Sequence, residues 1–471
     1  MPQLRLLLSM LLAGSASAKG AYLPWQTKAG RGGCSGAQAL GTATGVASAA
    51  QAEAACAAKP HCVFWVLSQD PKDSNGDAYL CSNDGYDLVN NAGQFPLWLV
   101  GHRAEPPRPT PAPGPIPEQC YAASVVFDPS PVLSFVDGSS TYGQVFNPSW
   151  VEASAATGGK AGLLVRTQNC TAQAPGKCLA CSGVAAAASV LTFAELLNDD
   201  NDPAATPRFQ HVDRDSVVFG PHDLTDDKGT EDPRVALDAQ TGLYFMMYTC
   251  YNSGQTKQDK VTLCLATSTN PTSPSTWTLH GPIGFPAGSK SGALLIREDP
   301  AEGPHFMYWG AGMISITNST DLLKWDKGVP FIKQTLWGNP HVEAGPPPMK
   351  LSTGDFLFFH NSWAAGWPHG AGYQPAWVVL NGSDLSQIIS RAPEPLWSPD
   401  KEPWMAGVPP YTCNVANVSF LEAAHPVAGR ADTFRVYFGG SDAVIGSAVV
   451  SFARTGKPCN GGLGWDVHSD E

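Results

Sequence analysis

No stretch of this chain reaches about 18 consecutive apolar residues, so a membrane-crossing helix is not expected. HExxH, GxSxG, P-loop and EF-hand patterns are all missing. The histidines are scattered rather than spaced as ligands, so neither a metal centre nor another cofactor is expected. Charge is scarce at 15% of 471 residues, and basic charge is scarcer, with 29 Lys and Arg against 41 Asp and Glu. A formal net charge of -12 argues against nucleic acid and against an anionic membrane surface as partners. A neutral sugar or polyol is indifferent to it.

What the chain does have is turn residues and flat rings. It carries 48 glycines, 41 prolines and 14 tryptophans, a balance that suits an all-β protein. Its length exceeds one ordinary core, so two domains are expected. Residues 1–18 read as a secretory signal: Arg5, the apolar run Leu6 to Leu12, then Ala16-Ser17-Ala18 as the cleavage pattern. Twelve cysteines and sequons at Asn169, Asn318, Asn381 and Asn417 fit a secreted, extracellular protein.

Residues 20–102 hold Cys34, Cys56, Cys62 and Cys81, which allow three pairings. The helix-prone Ala52 to Ala58, the strand-prone Cys62 to Val66 and the closing Leu97 to Gly101 resemble a PAN/apple-like module, a small disulfide-rich α+β domain. The resemblance implies a carbohydrate or protein ligand; the plain alternative is a stapled accessory domain with none. Residues 103–119 form a linker, with seven prolines from Pro106 to Pro117. Cys178-Leu-Ala-Cys181 has redox spacing but reads as a loop staple in an exported chain.

In residues 120–471 one beat recurs, a turn followed by a short aromatic or β-branched run and polar residues. It occurs at Gly162–Cys170, Gly242–Cys250, His305–Gly310, Asp355–Asn361 and Phe434–Asp442. A second beat ends in Trp277, Trp325 and Trp397. Repetition at roughly fifty to eighty residues points to blades, and five beats to a five-bladed β-propeller with a central pocket. A β-sandwich with similar strands is the alternative. Cys250 and Cys264 are placed to bridge neighbouring strands.

The stretch Gly229-Thr-Glu-Asp-Pro-Arg-Val235 puts two carboxylates before a proline and a strand-like run. Proline disfavours helix at the preceding residue, so Asp232 should be extended or in a turn at a strand lip. By itself this is a salt-bridged surface turn. In order along the chain, however, stand Phe146-Asn147-Pro148-Ser149, Leu164-Val165-Arg166, Glu231-Asp232-Pro233-Arg234, Ala344-Gly345-Pro-Pro-Pro348, Phe358-Phe359-His360, Tyr373 to Leu380, Arg391-Ala-Pro-Glu-Pro-Leu-Trp397, Asn414-Val415 and Gly440-Ser441-Asp442. This series resembles glycoside hydrolase family 130, the β-mannoside phosphorylases and related hydrolases, across about residues 145–450.

The resemblance implies a five-bladed propeller acting on β-linked oligosaccharide or glycan, with Asp232 as proton donor. A glycosidic leaving group needs such an acid. Glu231 and burial are expected to keep Asp232 protonated. Asn147, Arg166, Glu231, Arg234, Lys290, His360, Tyr373 and Asp442 are the expected substrate contacts, with orientation as the other role open to Arg234. The sequence also departs from the phosphorylase pattern. Trp309-Gly310 replaces the His-Arg pair after the third-blade strand, while Glu343 stands beside the Gly-Pro-Pro-Pro run. Loss of an anion-binding arginine and gain of a carboxylate point to a secreted, inverting β-mannoside hydrolase, with Glu343 (or Asp442) as base. The alternatives are a β-mannoside phosphorylase, a non-catalytic carbohydrate-binding propeller, or a related five-bladed glycosidase acting on arabinose or fructose.

Overall fold

The computed structural model describes residues 121–168, 188–199, 202–223, 225–253, 261–299, 302–365, 371–408, 411 and 415–455 of the larger unit. Of the smaller unit it describes the strands and one helix. The leader, the proline linker, the Cys178–Cys181 pair and Asn169 lie outside the described residues. Chain contacts divide the molecule into Met1–Gly114 and Pro115–Glu471, a boundary inside the proline-rich stretch.

The first unit is a five-stranded antiparallel sheet in the order Tyr22–Gln26, Trp98–Arg103, Phe64–Ser68, Ala78–Cys81, Ala39–Ala43. The one helix among its described residues, Ala49–Ala57, carries Cys56, which is disulfide-bonded.

The second unit is a propeller of five antiparallel sheets. Blade 1 runs Gln144–Val151, Gly162–Gln168, Val190–Glu195, Val217–Phe219. Blade 2 runs Gly229–Asp238, Leu243–Tyr251, Val261–Ser268, Trp277–Pro282. Blade 3 runs Gly292–Leu295, His305–Trp309, Ile314–Ser319, Val329–Ile332. Blade 4 is built on His341–Ala344, Phe356–Ala365, Ala371–Leu380 and Ile388–Arg391, with short additions at Ala311–Gly312 and Met349–Lys350. Blade 5 runs Ser419–Pro426, Thr433–Gly440, Val444–Arg454, and takes its fourth strand, Tyr121–Phe127, from the front of the unit. The two ends of the unit thus meet in one sheet and close the ring. Each recurring beat of the sequence lies on the second strand of a blade.

Packing explains why these second strands read as unbroken apolar runs. Successive side chains of a strand point to opposite faces, and both faces are covered here by neighbouring blades. Met246 joins Leu164 and Leu191 of blade 1, while Met247 joins Leu294 and Met307 of blade 3. Phe358 packs with Tyr308 and Phe331 of blade 3, while Phe359 packs with Phe434 and Phe452 of blade 5. Burying one such side chain fully is worth about 1.5–3 kcal/mol. Trp277–Pro282, the last strand of blade 2, is largely exposed, and its apolar run is broken by Thr278, His280 and Gly281. Cys250 and Cys264 form the disulfide expected between adjacent strands of blade 2.

Candidate active site

Three neighbouring first strands are each interrupted by one bulge, and each bulge carries a polar residue. The register shifts between Phe146 and Pro148, between Glu231 and Arg234, and between Leu421 and Ala423. A bulge re-aims the extra side chain out of the ladder. In this way Asn147, Asp232 and Glu422 leave their strands. Asn147 and Asp232 take φ of 47° and 51°, and Ser291, Ser441 and Asp442 nearby take 60°, 50° and 50°. Asp232 is therefore left-handed inside a strand, where an extended or turn residue at a strand lip was expected. Asparagine and aspartate tolerate that region better than other side chains, and backbone strain gathers at functional sites.

Asp232 is 5% exposed. Its Oδ1 accepts from Asn147 Nδ2 at 2.7 Å and from Arg166 Nη1 at 2.8 Å. Arg166 also donates through Nη2 to Glu231 Oε1 at 2.6 Å and through Nε to Ser189 Oγ at 3.0 Å. Its guanidinium lies 4.5 Å over the Phe146 ring. Arg166, Glu231, Asp232 and Asn147 thus form one cluster between blades 1 and 2.

Glu343 anchors a second cluster on blade 4 and is 0% exposed. Lys290 Nζ lies 2.8 Å from its Oε1, and Ser291 Oγ donates to the same oxygen at 2.6 Å. Tyr373 Oη donates to Oε2 at 3.0 Å, and His341 Nε2 lies 3.2 Å from that hydroxyl. Asp442 follows the second strand of blade 5, within electrostatic reach of Arg166, Asp232, Lys290 and Glu343.

Arg234 is fully buried and turns away from open space. It donates to Gly345 O at 2.9 Å, Ala344 O at 2.7 Å and the Asp232 carbonyl at 3.0 Å. Its Nη1 also lies 2.8 Å from Glu422 Oε1. Of the two roles expected for it, orientation and substrate contact, this geometry supplies the first. Gly345 is bare because a Cβ there would meet Phe359 O at 2.5 Å. His360 is buried in blade 4 with Nδ1 unpartnered, and burial, with Arg391 nearby, pushes its pKa down to about 4. Its surroundings are burial, Asn361 and Arg391 of its own blade, which sets it apart from the candidates in the two carboxylate clusters.

Three cations, Arg166, Arg234 and Lys290, thus share this region with five carboxylates, Glu231, Asp232, Glu343, Glu422 and Asp442. The excess of negative charge means that not all five ionise together. Burial pushes Glu231, Glu422 and Asp442 upward, Asp442 to about 7. Burial acts on Asp232 and Glu343 in the same direction but is outweighed by Arg166 at the first and Lys290 at the second, and both are held low. The expectation that Glu231 keeps Asp232 protonated is thereby reversed. Asp232 is the ionised member at rest because Arg166, Lys290, the Asn147 donor and Arg234 together outweigh its burial, whereas at Glu231 burial and the neighbouring Asp232 charge outweigh Arg166, Lys290 and Ser189.

Sequence reasoning missed Glu422, His341, Ser189 and Ser291. Glu422 had a legible signal, a lone charge in the apolar run Ser419-Phe-Leu-Glu-Ala-Ala424, on a strand buried on both faces.

Residues 187–454 match the sequence profile of glycoside hydrolase family 130 described as beta-1,4-mannooligosaccharide phosphorylase. The chain belongs to glycoside hydrolase family 130. It is 31% identical over 231 residues to a 1,2-beta-oligomannan phosphorylase of Thermoanaerobacter sp. (strain X514), a match covering 47% of this chain and 68% of that one. The fold is shared with a β-1,2-mannobiose phosphorylase of Listeria innocua, at a TM-score of 0.53 and 15% identity over 69% of this chain and 96% of that one. It is also shared with a glycoside hydrolase of Parabacteroides distasonis, at 0.50 and 21% over 65% and 86%. As a family 130 member the protein is a glycoside-active enzyme, and a mannooligosaccharide fits its family. The profile match begins after Asn147 and Arg166, so those two rest on geometry and motif order.

Proposed function

We propose that this protein is a β-mannoside phosphorylase. The observation that carries the reading is the pair of cations, Arg166 and Lys290, gathered with Asp232 at one pocket and each held by carboxylates. Phosphorolysis needs such a cradle for its anion. The phosphorylase relative at 31% identity supports the same reading. Phosphate oxygen attacks the anomeric carbon, the glycosidic C–O bond breaks, and Asp232 delivers a proton to the departing oxygen, directly or through a sugar hydroxyl. Mannose 1-phosphate and a shortened sugar result. Asn147 and Arg166 orient Asp232, Lys290 meets the phosphate, and Tyr373 and Asp442 face the sugar.

An inverting hydrolase with Glu343 as base is the second reading, favoured by the burial of that carboxylate beside Lys290 and by Trp309-Gly310. Against it, Lys290 overcomes burial and holds Glu343 well below the usual carboxylate range, and Ser291 and Tyr373 already donate to it. A carboxylate so stabilised is a weak base, since catalytic pKa values work best near the operating pH.

Incubation with β-1,2- and β-1,4-mannobiose, with and without phosphate, separates these readings. Mannose 1-phosphate formed only when phosphate is present is the expected result. Free mannose released at the same rate without phosphate establishes hydrolysis instead, and no turnover of any mannoside leaves a carbohydrate-binding propeller.

We further infer that the chain is exported and glycosylated and carries a PAN/apple-like binding module. Support comes from the leader, the cysteines, and Asn318, which is exposed on blade 3. Expression in a secreting eukaryotic cell should yield a mature chain starting near Lys19 whose mass falls on enzymatic deglycosylation; retention of the leader inside the cell overturns the inference.

A further inference from the structure

Beside the Glu343 cluster lies aromatic surface of which the proposed chemistry uses only Tyr373. His341, Trp363 and Tyr373 stand directly opposite one another on three neighbouring strands of blade 4. Opposed residues of a sheet project on one face, so the three side chains form a row. The row begins inside the site, where the Tyr373 hydroxyl donates to Glu343. The His341 ring lies 5.9 Å from the Tyr373 ring and 6.4 Å from the Trp363 ring, edge-on to both. Exposure rises outward, from 0% at Glu343 to 44% at Trp363. On the other edge of His341–Ala344, the strand Ala311–Gly312 is followed at once by Met313, itself exposed. A Cβ on Gly312 would come no nearer than 4.0 Å to His341 Nδ1, so that flank of the ring is uncrowded.

An exposed indole is unusual in this unit, where Trp325, Trp377, Trp397 and Trp404 are buried. The patch is only a few side chains across, far below the roughly 800 Å² per partner of a specific protein interface. It is joined to the Glu343 cluster through His341 and Tyr373. A pyranose ring presents a flat C–H face that matches an indole face, and hydroxyls on its edge that match an imidazole nitrogen.

We propose that Trp363, with His341 beside it, is a platform for the sugar units on the leaving side of the reacting bond. The protein then selects β-mannooligosaccharides over β-mannosides with a small leaving group. The inference rests on the mannoside reading of the inner site and adds its chain-length preference. The test compares Trp363→Ala and Trp363→Phe with the unmodified protein on methyl β-mannoside and on β-mannooligosaccharides of two to four units. Trp363→Ala should lower kcat/KM on the oligosaccharides about tenfold, through KM, and leave methyl β-mannoside within about twofold. Trp363→Phe, which keeps a flat ring, should retain most of the preference. Equal losses on both kinds of substrate, or none on either, overturn the platform. Should the unmodified protein turn over no mannoside, the functional reading fails by itself. Direct binding of the same oligosaccharides to the unmodified protein and to Trp363→Ala then decides the platform, weaker binding to the variant supporting it and equal binding overturning it.

Discussion

Asp232→Asn is expected to lower kcat on a β-mannoside about 10²–10⁴-fold, the usual contribution of a placed acid, in a protein that stays folded. Asparagine keeps the shape of the side chain and tolerates the φ of 51° that the bulge imposes. Its amide oxygen can still accept from Asn147 and Arg166. What it loses is the transferable proton. At rest Asp232 is ionised by Arg166, so the proton for the leaving group must be drawn from the region as substrate and phosphate arrive. An incoming phosphate competes for Arg166 and Lys290, and that relieves the depression of Asp232. Glu231, Glu422 and Asp442 are all pushed upward by burial and are the proton-holding groups of the same region, which makes the supply depend on pH. Because Asp442 titrates at about 7, activity should decline as pH rises through that value. Rates measured across pH for both proteins check this. An Asp232→Asn variant within tenfold of the unmodified protein removes Asp232 from the acid role.

Arg166→Ala is expected to destabilise the propeller by about 3–5 kcal/mol, the cost of leaving buried charges without their partner, and to abolish turnover with it. One guanidinium satisfies Asp232 and Glu231 at 2.8 and 2.6 Å, and their side chains are only 6% and 14% exposed. Removing it deepens the surplus of carboxylates and forces further proton uptake. It also deprives Ser189 of a donor and uncovers the Phe146 ring. Arg166→Lys should recover part of the stability and little of the activity, since an ammonium cannot span two carboxylates from one planar fork. Chemical denaturation of the three proteins, read beside their phosphorolysis rates, gives both effects. A loss of under about 1 kcal/mol in Arg166→Ala shows that the pair is not what holds the first two blades' polar ends together.

Much of this was legible before any coordinates. The five beats mark five second strands because a strand covered on both faces has to be apolar at every position, as Leu243–Tyr251 is. The Asn147-Pro and Asp232-Pro pairs were legible as special points, and both turn out to be bulges. Orientation was one of two roles open to Arg234, but its partners were not legible, because Ala344, Gly345 and Glu422 lie about a hundred residues or more away, on blades 4 and 5. His360 shows the converse. Its motif looked like part of the site, yet its ring is enclosed within its own blade, among neighbours that motif order does not record.

Local chemistry in the sequence was therefore enough to determine the strand periodicity, the places where the ladder breaks, and the inventory of carboxylates and cations. Which of those groups is charged was decided only by the tertiary structure. Asp232 and Glu231 are neighbours of the same kind in the chain, and they are driven in opposite directions because the fold gathers Arg166, Lys290, Asn147 and Arg234 around Asp232, while burial and the Asp232 charge itself prevail at Glu231. A pKa depends on burial and on charges within a few ångströms, and the closing of the ring alone sets those distances.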